Sequence, residues 1–517
     1  MCSRRWSHSL SKRPLMARLT SAGTTTFIAL LMSSTAVMAD VTPEQVWESW
    51  QKQYSAYGFT VTPGAVERDG DVLTISDLVL TNESTTTIGT DRQVSKTVLT
   101  VPAILLEDLG DGTVEGTVEG EITGDNDTTD ATGKTETAKI TIDKTDASVV
   151  ISGTPEEMSY LIDAPEISAS IEAQPSTPGA QPALLGMTLT GLAGTQTMTS
   201  VGGQGTKADL TAEAMALTMT GSDPEDATTI DATIDMQDLA IKGDSLMPEG
   251  ADAAELGDAI AKGMRTNSAL SYGALSYTMS SKTKTGPVSL SGSAESGQAI
   301  IAFSREAVRY SATGSKTKID IQTTDFPQPM SATIDQGEID FAMPLSAKAE
   351  PQPFTSKVSL IGLAVSDQVW KMIDPTEKLV HGAATLIVDL TGTGKPLVDL
   401  FSPAAAASPV PPVQIDSLNV NQLQLTAAGA ELTGAGALTF DNATATPIPL
   451  GSIDLKLSGA NKLMDGLVAM GVMPQDQVMF AKMMMGMYAV PAGEDLFTSK
   501  IEFKEDGHIL ANGQPIK

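Results

Sequence analysis

From Phe59 onward the apolar side chains recur at every second position, and that period constrains the fold more than any other feature of the chain. Leu73 and Ile75, Ile140 and Ile142, Val149 and Ile151, the trio Ile167, Ala169 and Ile171, and the trio Leu386, Val388 and Leu390 are clear instances. A period of two belongs to a strand that turns one face toward a core. Asp69-Gly70, Asp111-Gly112 and Glu505-Asp506-Gly507 separate such runs as hairpin turns would. Aromatic residues are only 4% of the chain, and small Thr, Ala, Gly and Ser side chains suit extended, tightly turned β-structure.

A looser repeat lies over the alternation: two apolar positions two apart, a leucine three residues on, then another apolar residue. It occurs at Leu73/Ile75/Leu78/Leu80, Ile234/Met236/Leu239/Ile241, Val358/Leu360/Leu363/Val365 and Leu418/Val420/Leu423/Leu425, with a weaker copy at Met187/Leu189/Leu192. A three-residue step inverts the face of a regular strand, so each copy predicts a bulge or a bend. The copies are irregularly spaced, which argues against a solenoid of fixed repeat. The expected fold is mainly β: a long curved antiparallel sheet, or a pair of sheets, with a few capping helices.

Helical period appears in few places. Thr42-Pro43-Glu44-Gln45 offers an N-cap, a first-turn proline and a capping-box partner, and Trp47, Trp50, Tyr54 and Tyr57 follow on one stripe, predicting a helix over 42–57 that docks on the sheet. Shorter helical segments are expected near 251–264 and 367–373, and a helical pair near 462–470 and 474–488. Residues 174–182 and 402–412 are rich in proline and read as linkers or exposed loops. The division that follows is a leader over 1–39, a β-rich region over 40–401, a Pro/Ala-rich linker or loop over 402–413, and a C-terminal β region over 414–517.

The first 39 residues carry five basic side chains and no acidic one, then an apolar run over 27–32 and Val37-Met38-Ala39 before Asp40. This is the pattern of a cleaved export signal, and its apolar part is too short to span a bilayer as a helix. Met16 is an alternative start that leaves a compact signal; Ser3-Arg4-Arg5 lacks the context of a twin-arginine signal. Removal of the leader takes the net charge from −30 to −35 and takes away Cys2, the single cysteine. The expectation is a periplasmic protein without disulfide, thiolate metal site, lipoprotein anchor or transmembrane segment, whose charge excludes nucleic acid and electrostatic docking on anionic lipid.

Catalytic signals are weak. Beyond the leader the histidines are His381 and His508, and both read as structural or solvated. Gly392-Thr393-Gly394-Lys395 fails as a phosphate loop because Asp389 and Pro396 stand where a glycine and a metal-binding hydroxyl belong. Ser281-Lys282-Thr283-Lys284 and Ser315-Lys316-Thr317-Lys318 have serine–lysine spacing without a helix to open. The acidic stretch 107–130 includes Asp125-Asn126-Asp127 and Asp130, which calcium could use, but it also reads as the polar face of a hairpin. Met479, Met483, Met484, Met485 and Met487, with Met464, Met470 and Met473 before them, allow three readings: core packing, which is preferred, an adaptable apolar contact, or a soft Cu(I) site. No cofactor is called for.

Ala39-Asp40-Val41-Thr42-Pro43-Glu44-Gln45-Val46-Trp47, the stretches 434–441 and 451–459, and the ending 507–514 resemble an uncharacterised exported alphaproteobacterial family, domain of unknown function 2125. The strand-and-leucine repeat is more distantly similar to AsmA-like envelope proteins, which build curved sheets with an apolar groove used in lipid handling. The resemblance implies no catalytic residue. Together these features point to a non-catalytic envelope protein with an apolar groove that binds lipid, lined by Leu78, Leu239, Leu363 and Leu423 and closed by Met483, Met484 and Met487. A ligand-free structural or protein-interaction protein and a carboxylate-based hydrolase are the alternatives.

Overall fold

The computed structural model describes residues 40–56, 58–88, 91–174, 182–223, 228–251, 256–283, 286–326, 328–407, 412–443 and 446–516. Among them, 27 strands join one antiparallel sheet, and 67% of these described residues are strand against 12% helix. Residues 39–517 form a single compact unit. The mainly β expectation holds, as one sheet rather than two.

The sheet begins with a covering helix. α1 (Pro43–Ala56) is closed at its start as its sequence demands, the Thr42 amide donating to Gln45 Oε1 at 3.0 Å and the Gln45 amide to Thr42 Oγ1 at 3.4 Å. Val46 and Trp47 are buried, and Trp50 and Tyr54 pack beside them on a core of Leu73, Ile75, Leu78, Leu80, Ile104, Leu106 and Ile151. Gly116 makes room, since a side chain there would stand 3.3 Å from the Trp50 ring. Tyr57, the fourth member of the predicted stripe, lies outside the described residues.

Each long strand consists of two segments that meet at a bend, and the bend is what the three-residue steps encode. Strand Val72–Ile88 carries Asp77 at φ 49°, Ala183–Thr199 carries Gly191 at φ 64°, Thr228–Pro248 carries Asp238 at φ 51° and Gln352–Val365 carries Gly362 at φ 71°. In all four copies the left-handed residue immediately precedes the leucine of the repeat. One such residue reverses the alternation, so apolar side chains before and after the step stay on one face; aspartate and glycine tolerate that conformation best. In the fifth copy the same step is met by a register shift between Val420 and Leu423. Ala307–Thr323 bends likewise at Lys316, φ 48°.

At the bend, glycines face carboxylates of neighbouring strands. A Cβ on Gly191 would strike Glu213, one on Gly273 would strike Asp238, and one on Gly362 would strike Asp335, in each case across from the neighbouring strand. Lys316 reaches Asp335 at 2.6 Å.

Beyond strand Gln352–Val365 the half of the sheet on one side of the bend stops. The helix Asp367–Ile373 covers its end, with the Ser366 amide donating to the Ser331 carbonyl. The other half continues through Ala384–Pro396, Val413–Ala427, Ala430–Asp441, Ile448–Ser458 and Leu496–Phe503. Both proline-rich stretches connect strands that are direct neighbours, Ala173 pairing with Ala183 and Pro396 with Val413. The second of them holds a short helix, Pro403–Ala406. The terminal helices Ala460–Ala469 and Gln475–Tyr488 fall where the helical pair was expected.

Candidate functional site

Strand register places a line of residues, apolar but for the bare backbone of Gly194, on one face of the longer half of the sheet. Val149 pairs with Ile162, and the line passes through Gly194, Leu210, Ile241, Leu270, Ala299, Ala312, Ile339, Val358 and Val388 to Leu423. Partners in register lie on the same face, so these form an apolar row across the strands. At roughly 4.8 Å per strand, the stretch from Ile162 to Val388 runs about 40 Å. A second row two residues away holds Ile301, Tyr310 and Phe341.

What distinguishes this row from the core is exposure. Ile241, Leu270, Ile301, Tyr310, Ile339, Phe341 and Val358 are between 36% and 50% exposed, whereas Leu73, Ile75 and Leu106 under α1 are at most 4% exposed. The apolar row continues after its helical cover ends. At the bend, Ala164, Ala212 and Leu239 remain buried.

The predicted groove residues separate into three places. Leu78, fully buried, is part of the core beneath α1; Leu239 is 6% exposed at the bend; Leu363, half-buried, follows Gly362 at the same bend. Leu423 is half-buried in the long row, opposite Val388 and Gly434. The methionines stand on the helix Gln475–Tyr488, and here the preferred core-packing reading is corrected. Met479, Met483 and Met487 are more than half exposed, with Phe480 among them, and Met484 is half-buried. Of this helix only Val478 is fully packed away, and Lys482 ties it to Asp465 of the preceding helix at 2.7 Å.

An arrangement that period and spacing do not reveal lies at the end of the shorter half. Asp374 is fully buried; its carboxylate accepts the Leu379 amide at 2.7 Å, the Thr376 hydroxyl at 3.4 Å and lies 3.2 Å from His381 Nε2. The His381 ring stacks on Trp370, centroids 4.2 Å apart and planes within 9°. Burial pushes the Asp374 carboxyl up, but the Lys378 and Leu379 amides with His381 and Thr376 outweigh it and hold the group at about 2. The loop is thereby fastened between the helix Asp367–Ile373 and the terminal helices, where Gly466 lets the Lys378 carbonyl approach.

Most of the remaining candidates fall on regular strands, Asp130 and His508 lie in turns, and Lys284 lies outside the described residues. Asn126 donates to Ser95 and Thr97, and Asp127 accepts from the Thr137 hydroxyl at 2.6 Å, so this run serves cross-strand pairing. Gly392 to Lys395 lie within Ala384–Pro396, and Ser315 hydrogen-bonds Ser296 at 2.7 Å. His508 pairs with Asp506 of its own turn at 2.9 Å. Among the described residues no group of three or more His, Cys, Asp or Glu side chains is placed to hold a metal, and no helix is long and apolar enough to cross a membrane.

Residues 273–505 match the model of a family described as "Uncharacterized protein conserved in bacteria (DUF2125)". The matched segment contains 434–441 and 451–459 and leaves outside it both chain-end motifs that carry the resemblance in the sequence. It begins inside the uncovered part of the sheet and ends after strand Leu496–Phe503. No curated protein and no solved structure matches the chain.

Proposed function

We propose that the chain is an exported, non-catalytic protein of the bacterial envelope that holds acyl chains along the uncovered apolar face of its sheet. The observation that carries this reading is the set Ile241, Leu270, Ile301, Ile339 and Val358, large side chains that stand 36–50% exposed on the same face of successive strands. Apolar surface removed from water gains about 25 cal/mol per Å², and a contiguous exposed patch of this kind marks an interaction site. Its side chains are mainly aliphatic, which suits hydrocarbon better than sugars or nucleobases. Export rests on the charge and size pattern of residues 1–39 and on the lack of cysteine beyond it.

Native mass spectrometry of protein taken from its own envelope tests it. Co-purifying lipid is expected. A lipid-free spectrum together with no uptake of a fluorescent fatty-acid probe would sink the proposal. N-terminal sequencing of the same sample is expected to begin at Asp40, and an intact segment 16–39 would contradict the export step.

The stripe Met479, Phe480, Met483 and Met487 supports a second reading, contact with another envelope protein through a pliable thioether surface. Crosslinking from position 483 to another protein, with no lipid bound, would place that reading ahead.

A further inference from the structure

The face of the sheet that turns away from the apolar row is grooved across its strands. A cavity of 630 Å³ runs from strand Arg265–Tyr272 to strand Val413–Ala427, and a second of 810 Å³ continues from there to Leu496–Phe503; Gln422 lines both. Strand register accounts for the alignment. Ser271 pairs with Gln298, and the row continues through Thr313 and Glu338 to Ser359. After Ile387, its one apolar member, the row resumes with Gln424, Thr433, Lys456 and Thr498. Gln298, Thr313, Glu338 and Ser359 each adjoin a member of the apolar row, Ala299, Ala312, Ile339 and Val358, and so point to the opposite face. Beside them the backbone of Gly297, Gly314 and Gly337 makes the floor of the first cavity, and Ser296, Ser315 and Gln336 make its other wall.

Hydroxyls and carboxamides dominate this lining. The charged residues of the first cavity, Glu338 and Lys357, neutralise each other at 2.7 Å, and in the second Asp454 stands with Lys456 and Lys500. In a chain of 63 acidic and 33 basic residues, the groove is thus a surface without excess negative charge. Ser359 lines it and is only 6% exposed, yet its hydroxyl has no hydrogen-bond partner among the described residues. A hydroxyl so enclosed ordinarily has a partner, so this one points to a ligand that supplies it.

We propose that the groove binds a β-linked glycan strand laid across the β-strands. Such a chain presents hydroxyl and acetamido groups on each ring, and side chains that both donate and accept are their complement. The repeat also fits. Neighbouring strands stand roughly 4.8 Å apart, close to the length of one β-linked sugar ring, so successive rings meet successive members of the row. An extended peptide advances only about 3.3 Å per residue and falls out of step. From Ser271 to Thr498 the row crosses ten strands, about 43 Å in all. This site lies on the face opposite the acyl-chain surface and stands independently of it.

Saturation-transfer NMR on the full-length protein tests the proposal, with a hexamer of β-1,4-linked N-acetylglucosamine and with a hexapeptide of serine and glycine as probes. Transfer to the hexasaccharide and none to the peptide is expected. Ser359→Ala and Gln298→Leu should each weaken the hexasaccharide about fivefold, the worth of one hydrogen bond, at an unchanged melting temperature. Gln298 is exposed, so its variant reads the contact even where Ser359→Ala does not fold. No transfer to the hexasaccharide, equal transfer to the peptide, or parent affinity in the folded variants overturns the proposal.

Discussion

The first strands of the sheet and its middle strands carry similar apolar rows and treat them oppositely. Leu73, Ile75 and Leu106 lie beneath α1 and are sealed from water; Ile241, Ile301 and Ile339 occupy equivalent positions on later strands and remain about half exposed. The β pattern alone therefore does not decide whether an apolar row is core or surface. The decision lies in what is laid over it, and α1 lies over the first strands.

The sharpest test of the contrast is truncation at matched positions. Ile75→Ala should destabilise the protein by about 3 kcal/mol in denaturant titration, the ordinary cost of emptying a sealed aliphatic site. Its counterpart, at the small end of the series, is Ile301→Thr, expected within about 0.5 kcal/mol of the unaltered protein while reducing acyl-probe uptake. Equal losses of stability would mean that the middle strands are covered after all.

Between these extremes lies the bend. Gly362→Ala places a Cβ both at positive φ and against Asp335, and should cost on the order of 2 kcal/mol in the same titration. Asp335→Ala removes the obstacle across the strand, so the double variant should recover part of the loss; full additivity would show that backbone strain acts alone.

A smaller effect concerns the fastened loop. Because the folded carboxyl of Asp374 is held at about 2, below its ordinary 3.8, its contribution is complete above 3.8 and is lost as the pH falls toward 2. Amide exchange at Leu379, whose N–H donates to this carboxylate, should accelerate over that interval once intrinsic rates are removed. In Asp374→Asn the pH-dependent step should vanish. A step that survives the substitution would assign it to another group.

The sequence makes the bend legible at Asp77, Asp238 and Gly362 because an apolar position is displaced there by one residue. It hides the bend at Lys316, where Thr313, Ser315 and Thr317 supply no apolar alternation to displace. The pairing of Gly191 with Glu213, or Gly362 with Asp335, depends on register between neighbouring strands and leaves no local signal. α1 is readable because capping box and aromatic stripe agree. The methionine helix misleads for the opposite reason: apolar residues on nearly every side suggest burial, and only tertiary contacts reveal which side is left open. The contact of Trp370, His381 and Asp374 escapes periodicity altogether, since an irregular loop brings them together.

Hairpin pairing has a consequence for the order of assembly. Strands find their partners within a few elements along the chain, from Phe59–Thr62 on Val72–Ile88 to Ile448–Ser458 on Leu496–Phe503. Closing such short loops costs little entropy, so a chain emerging from its N-terminus can lay down the sheet strand by strand without waiting for its far end. Each completed strand then becomes the template for the next, and the growing edge moves forward with the chain. Pulse-labelled exchange during refolding should accordingly protect the strands under α1 first and the strand Leu496–Phe503 late; simultaneous protection would indicate a single cooperative step instead.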